Sequence, residues 1–475
     1  KWAEFIVRIS NKRHPDEPDV IKVAPTGKAA SIIQGITLHS AFHLGFGNQH
    51  TSLPDSLREN LRKLLSQLRI VIIDEMSMVK PDLLYQLHLR LQELKQSTDD
   101  FGGVAVIMCG DLMQLRPVRA NWIFEPPKSM QFQISHSLRP LWELFETIVL
   151  TRNHRQGSDK AYAEILNRIR FGKQTEEDIT MLRSRVTSTF PEKALYVYGK
   201  KAQVIEQNHL ELNKLPGTMI TFQAIHIHPN KPNYKPCISR DGTVNDTPFL
   251  DKLHLKIGAR VMLTYNIDTS DGLTNGSTGV ILDFMKTQDI TQFIIVQFDD
   301  EETGESLRRK SRHIVSRYSN EYATPIGKVS FEYSLGKSSK SHTAKAKVIQ
   351  FPLMLSWATT AHKFQGQTVK KPNLLVADID SVFEAGQAYV ILGRVQELQQ
   401  LYLKSFTPSK IMVNPKAMKE SENLSEIALN NKTTEWTKRD ALSLKISTLN
   451  IRSAVKHFDD LKHDHQMLQS DIMSK

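Results

Sequence analysis

Cysteine is nearly absent: two residues, Cys109 and Cys237, in a chain of 475. They lie far apart in sequence, which excludes a disulfide framework and a Cys-rich zinc site and fits a reducing compartment. Long apolar runs are missing too. No stretch reaches the roughly 18 consecutive apolar residues that a transmembrane helix needs, so no membrane partner is expected. The opening residues "KWAEFIVRIS" lack a signal-peptide layout and do not begin with Met, from which a fragment or a processed chain is expected. No fixed-period repeat occurs. Acidic residues are the minority: 51 Asp and Glu stand against 62 Lys and Arg, a formal charge of +11. A basic surplus suits a polyanionic partner, because phosphate contacts release condensed counterions.

What is present alternates. "VIKVA" (20–24) reads as a short buried strand, "LRIVIIDE" (68–75) as a β-branched strand ending in two carboxylates, and "FGGVAVIMCGD" (101–111) as a third ending in Asp111. Between them, "PDLLYQLHLRLQELKQ" (81–96) has the spacing of an amphipathic helix with Pro at its start. Residues 1–10 show a helical stripe of Trp2, Phe5, Ile6 and Ile9. Strands alternating with helices indicate a parallel α/β sheet, whose ligands bind beyond the carboxyl ends of the strands. Residues 253–350 change character, with short strands, Gly-rich turns and no long helix, as in a small β insertion. From about residue 407 the chain turns polar.

The chemistry-bearing residues gather at the strand ends. Gly27-Lys28 in "APTGKAA" tempts a phosphate-loop reading. The pattern G-x-x-x-x-G-K-[ST] fails, however, at Lys22 and at Ala29. Asp74 and Glu75 after a buried strand suit a Mg²⁺-holding carboxylate followed by one that orients water at a terminal phosphate. Gln114 at the next strand end can sense a γ-phosphate. Arg155 and Arg394 are fork donors for phosphate charge. "TTAHKFQGQT" places His362, Lys363 and Gln365 around a helix start, where they can contact DNA phosphates.

The ordered set "APTGKAA", "TLHSAF", "IIDEMSMV", "GDLMQLRPV", "NHRQ", "LNRIRFG", "GARVMLTYNID", "LTNGSTG", "WATTAHKFQGQT" and "QAYVILGRV" resembles the Pif1 family of superfamily 1 DNA helicases across residues 1–406. The resemblance implies an α/β fold of two RecA-like, P-loop NTPase-type parallel-sheet domains with a small SH3-like β insertion in the second. The implied arrangement is domain 1 over 1–147, domain 2 over 148–252 and 351–406, the insertion over 253–350, a polar linker over 407–440 and a tail over 441–475.

It implies ATP and Mg²⁺ as cofactors and 5′→3′ translocation on single-stranded DNA, with forked or structured DNA as further partners. A monomer acting in the nucleus, or in the mitochondrion, is expected, with roles in DNA repair, recombination and telomere maintenance. Asp74, Glu75, Gln114, Arg155 and Arg394 become the catalytic set, with Asp74 and Glu75 on the metal and Asp74, Gln114, Arg155, Gly366 and Arg394 on the nucleotide. "APTGKAA" becomes a DNA-facing loop, so Thr26 and Lys28 face DNA with His39, Ser40, His362, Lys363 and Gln365. Phe42 stacks on bases or packs in the core.

Three departures stand out. The family's phosphate loop belongs just before the helix that residues 1–10 resemble, so this chain is expected to bind ATP poorly. Arg116 replaces the usual Pro, and Gly393 the usual Ser. Residues 444–473, with Asn450, resemble the first strand and helix of the endonuclease/exonuclease/phosphatase fold of Helitron-like elements. The competing expectation is a non-catalytic, transposon-derived remnant that binds single strands.

Overall fold

The computed structural model describes residues 18–431 apart from 46, 48, 151–152, 229, 232–233 and 335–344. The expected helix over 1–10 and the endonuclease-like segment, including Asn450, lie outside the described residues. Contacts divide the chain into two compact units: residues 1–187, 365–372 and 383–475 in one, 188–364 and 373–382 in the other.

The first unit is built on a parallel sheet of strands β1 (Val20–Ala24), β2 (Ile36–Thr37), β3 (Ile70–Ile73) and β4 (Ala105–Met108), in the order β2-β1-β3-β4. Val71, Ile73 and Met108 have no exposed surface. That is the pattern of a parallel sheet covered on both faces. The helix Pro81–Lys95 covers it. Pro81 starts the helix, and Leu84, Leu87, Leu91 and Leu94 are buried. Phe42 is fully buried in the same core, which decides for packing over base stacking.

The second unit carries a further parallel set. β5 (Leu195–Tyr198) lies between β16 (Ala358–Thr360) and β17 (Leu375–Asp378). Between β5 and β16 in sequence lie antiparallel strands: β6 (Ile220–Gln223), β7 (Ile225–Ile227), β8 (Lys252–Leu255), β9 (Arg260–Leu263), β10 (Thr278–Thr287), β11 (Ile290–Phe298), β12 (Ala323–Gly327), β13 (Val329–Ser334), β14 (Lys345–Gln350) and β15 (Leu353–Leu355). Five of them form one sheet, β12-β11-β10-β9-β15. On β10 a register shift between Ile281 and Asp283 changes the phase of the alternation, so Ile281 and Phe284, three residues apart, both join Val261, Ile294 and Val296 in one core.

Two features differ from the sequence expectation. Residues 148–187 and 383–406, expected in the second domain, group with the first sheet, because Arg170, Tyr389 and Arg394 hydrogen-bond to Asp111 and Gln114 at its edge. The stretch expected as a polar linker from 407 contains the helix Pro415–Asn431. Its Ala417 is fully buried in the first unit's core, and Met418 and Leu424 pack beside it.

Candidate functional site

The carboxyl ends of β1, β3 and β4 carry the sequence-predicted residues. Asp74 follows β3 directly and its amide donates to the Val23 carbonyl at 2.9 Å, extending the β1 pairing by one residue. Glu75 then leaves the strand path: its backbone is left-handed, at φ 53° and ψ 46°. A non-glycine residue is uncommon there, and such strain collects at functional sites. Met76 N donates to the Cys109 carbonyl at 2.9 Å, so the turn after β3 is stitched to the end of β4. The close approach requires Gly110, where a Cβ would lie 2.9 Å from Met76 N.

Glu75 is held by a distant segment. Gln365 Nε2 donates to Glu75 Oε2 and to Ser77 Oγ, each at 3.1 Å. Gly366, at φ +80°, lies against the other oxygen: a Cβ there would sit 3.2 Å from Glu75 Oε1. The resemblance counts Gln365 among the DNA contacts; its side chain is buried and bonded to the strand-end carboxylate instead.

Gln114 is met by Arg394, which is 2% exposed. Arg394 Nη2 donates to Gln114 Oε1 at 2.7 Å, Nε to the Val390 carbonyl at 3.0 Å and Nη1 to the Gln367 carbonyl at 3.3 Å. The guanidinium is thus aimed by its own helix and by the segment after Gln365. Arg155 Nη1 donates to the Gly393 carbonyl at 2.8 Å, and Gln156 Nε2 to the Val395 carbonyl at 2.6 Å. The Gly393 contact uses backbone only, so the Ser-to-Gly departure leaves it in place. Arg116, the other departure, pairs with Glu384 at 2.8 Å. Glu75, Gln365, Gln367, Arg394 and Gln114 therefore form a chain of neighbours at one sheet edge, drawn from four separate stretches of the sequence.

A second cluster escaped the sequence reading. Arg170 Nη2 donates to Asp111 Oδ1 at 2.8 Å, and the Tyr389 hydroxyl to Asp111 Oδ2 at 3.0 Å. Burial alone would push the Asp111 carboxyl up; the Arg170 guanidinium, the Met113 amide and Tyr389 overcome it and hold the carboxyl below its usual value. Burial and the neighbouring Asp111 carboxylate push the Tyr389 phenol up. The available signal was Asp111 at a strand end and the paired arginines of "LNRIRFG".

The remaining residues lie on two other surfaces. Thr26 caps the helix Gly27–Ile32, its hydroxyl accepting from Ala29 N at 3.2 Å, and Lys28 follows in the first turn. His39 and Ser40 sit on the helix Leu38–Phe42, where the Thr37 hydroxyl donates to Ser40 Oγ at 2.8 Å. Burial, and then Lys80, lower the His39 pKa, so its imidazole is neutral at pH 7. His362 and Lys363 lie on the short helix Ala361–Phe364 of the second unit, with Lys363 exposed.

The donor set fits a magnesium nucleotide. Among the described residues no group of three or more His, Cys, Asp or Glu could cage a metal. Mg²⁺ needs no cage, because one or two carboxylates and phosphate oxygens suffice, and Asp74 and Glu75 at a strand end offer that. No helix among the described residues is long and apolar enough to cross a membrane.

Known proteins resemble this chain in sequence and in fold. The model of the PIF1-like helicase family matches residues 2–180, and that of the DNA helicase Pif1 2B domain matches residues 246–284. The ATP-dependent DNA helicase PIF1 of Emericella nidulans is 30% identical over 467 residues, covering 89% of this chain and 58% of its own length. The Pif1 of Bdellovibrio bacteriovorus is 28% identical, covering 87% of this chain and 84% of its own length. The chain thus spans little more than half of the first of these relatives. Among solved structures, Bacteroides Pif1 in complex with ADP-AlF3 and single-stranded DNA is 25% identical, with a TM-score of 0.67 and 92% of each chain covered. The fold is the mixed α/β fold with parallel sheets that these structures share, consistent with RecA-like domains. In motif order, in strand-end carboxylates and in these matches, the chain is similar to the Pif1-like helicase family.

Proposed function

We propose that this protein is an ATP-dependent DNA helicase that couples hydrolysis to 5′→3′ movement on single-stranded DNA and opens forked duplexes. The observation that carries the reading is the chain of contacts from Glu75 through Gln365, Gln367 and Arg394 to Gln114, which gathers water-orienting, phosphate-sensing and charge-neutralising groups at one strand edge. Asp74 and Glu75 would hold Mg²⁺, with Gln114, Arg155, Gly366 and Arg394 around the nucleotide; the metal supplies neutralisation of phosphate charge when bound. Glu75 orients and polarises the attacking water. Gln114 senses the terminal phosphate and passes its state to Arg394. Arg394, desolvated and pre-aimed, stabilises charge in the transition state.

Thr26, Lys28, His39 and Ser40 of the first unit contact DNA, as do His362 and Lys363 of the second, with Lys28 and Lys363 supplying salt-sensitive contacts. The neutral His39 serves as a hydrogen-bonding group. Two RecA-like domains, the second carrying an SH3-like insertion over residues 253–350, are part of this reading. So are a monomeric, nuclear protein and Mg²⁺-ATP as its cofactor.

The test uses the full-length protein with ATP, single-stranded DNA and forks bearing one tail. Turnover stimulated by single-stranded DNA, with unwinding of the 5′-tailed fork, is expected. Salt-sensitive DNA binding without turnover would replace the helicase with a binding module, and unwinding from a 3′ tail alone would overturn the polarity.

A further inference from the structure

We propose that Gln365 is a positioning residue for Glu75, holding its carboxylate by a donated hydrogen bond rather than gripping DNA. The inference rests on the reading of Glu75 as the water-orienting group. Gln365 is 6% exposed, and its Nε2 donates at 3.1 Å to both Glu75 Oε2 and Ser77 Oγ. A carboxylate only accepts, so the amide nitrogen must face Glu75, which fixes the orientation of the amide. Both amide hydrogens are then committed. The remaining polar atom, Oε1, is buried and has no hydrogen-bond partner among the described residues. It is an acceptor. A phosphate asks for donors, so this side chain has nothing to offer a DNA backbone.

Three constraints converge on one carboxylate. The left-handed backbone of Glu75 sets where its side chain starts. The Gln365 amide fixes one oxygen, and the glycine at 366 allows the chain to approach the other. Ser77, with no exposed surface, anchors the amide from behind. A group that orients water works best when its rotamer is locked before substrate arrives, and a misplacement of about 1 Å can cost on the order of 10²-fold in rate.

The experiment compares Gln365→Leu, Gln365→Glu, Ser77→Ala and Glu75→Gln in the full-length protein. It reads steady-state ATPase with single-stranded DNA, DNA affinity by anisotropy, and melting temperature. Gln365→Leu is expected to lower kcat roughly 10- to 100-fold, with the KM for ATP and the Kd for DNA within about twofold of the unsubstituted protein. Gln365→Glu keeps the shape but opposes two carboxylates, so kcat falls further. Combined with Glu75→Gln it restores a donor–acceptor pair with the roles exchanged, so the melting temperature recovers and turnover does not. Should Gln365→Leu fail to fold, Ser77→Ala carries the test, with a smaller fall in kcat and unchanged DNA affinity.

Loss of DNA affinity with unchanged kcat in the Gln365 variants overturns the proposal, as does unchanged kcat in both Gln365→Glu and Ser77→Ala. Normal turnover by Glu75→Gln overturns instead the role of Glu75 on which the proposal stands. An unsubstituted protein without DNA-stimulated turnover overturns both.

Discussion

Replacing Arg170 by Met strands a carboxylate. Asp111 accepts Arg170 Nη2 at 2.8 Å and Nε at 3.1 Å on one oxygen, and Tyr389 at 3.0 Å on the other. The side chains of Arg170 and Asp111 are 29% and 14% exposed. Breaking a fully buried pair costs about 3–5 kcal/mol, while an exposed pair contributes about 0–1 kcal/mol. With partial solvent screening, Arg170→Met should destabilise the first unit by about 2–3 kcal/mol at pH 7.

The sign of the pH dependence follows from Asp111. Its folded carboxyl lies below the ordinary value of 3.8. The stability it contributes is therefore full above that value and lost as pH falls through the lower folded value. In Arg170→Met only the upward push of burial and the weaker hydrogen bonds remain, so the defect is largest near neutrality and shrinks as Asp111 protonates. Denaturant unfolding followed by tryptophan emission reads it, since Trp122 and Trp142 belong to the first unit's core. Adding Asp111→Asn should recover more than half of the loss. A defect equal at pH 4 and pH 7, or below about 0.5 kcal/mol, would mean that Arg170 does not hold the Asp111 charge.

Three further outcomes are expected. Lys28→Ala should weaken single-stranded DNA binding and make the slope of log K against log salt shallower by about 0.7, measured by anisotropy titrations across salt. Arg394→Ala and Arg394→Lys should both lower ATPase kcat by at least about 10³-fold, because a lysine cannot reproduce the fork that meets Gln114 and two carbonyls. Gly110→Ala should destabilise the first unit by about 1–3 kcal/mol in a denaturant melt, since its Cβ would lie 2.8 Å from Met76 Cγ.

The parallel strands were legible because their cores are short runs rich in β-branched residues: "VIKVA" is β1, and "IVII" within the longer apolar stretch is β3. The helix from Pro81 was legible through its proline start and apolar spacing. Asp74, Glu75 and Gln114 were legible by their places at strand ends. Side-chain partnerships were not, because Asp111 and Tyr389 are 278 residues apart and local pattern carries no signal over that distance. Gln365 misled for a related reason. Its neighbours His362 and Lys363 suggest phosphate contact, and only its burial turns it toward Glu75. The helix Pro415–Asn431 hid in polar composition, since few of its described side chains, Ala417 foremost, pack in the core.

Glu75→Gln probes the hydrolytic role of this strand edge. The substitution keeps size and removes the charge that polarises water. DNA-stimulated ATPase is predicted to fall by about 10²- to 10⁴-fold, with single-stranded DNA still bound at unchanged affinity. Turnover at the unsubstituted rate would contradict the assignment of this strand edge as the hydrolytic site.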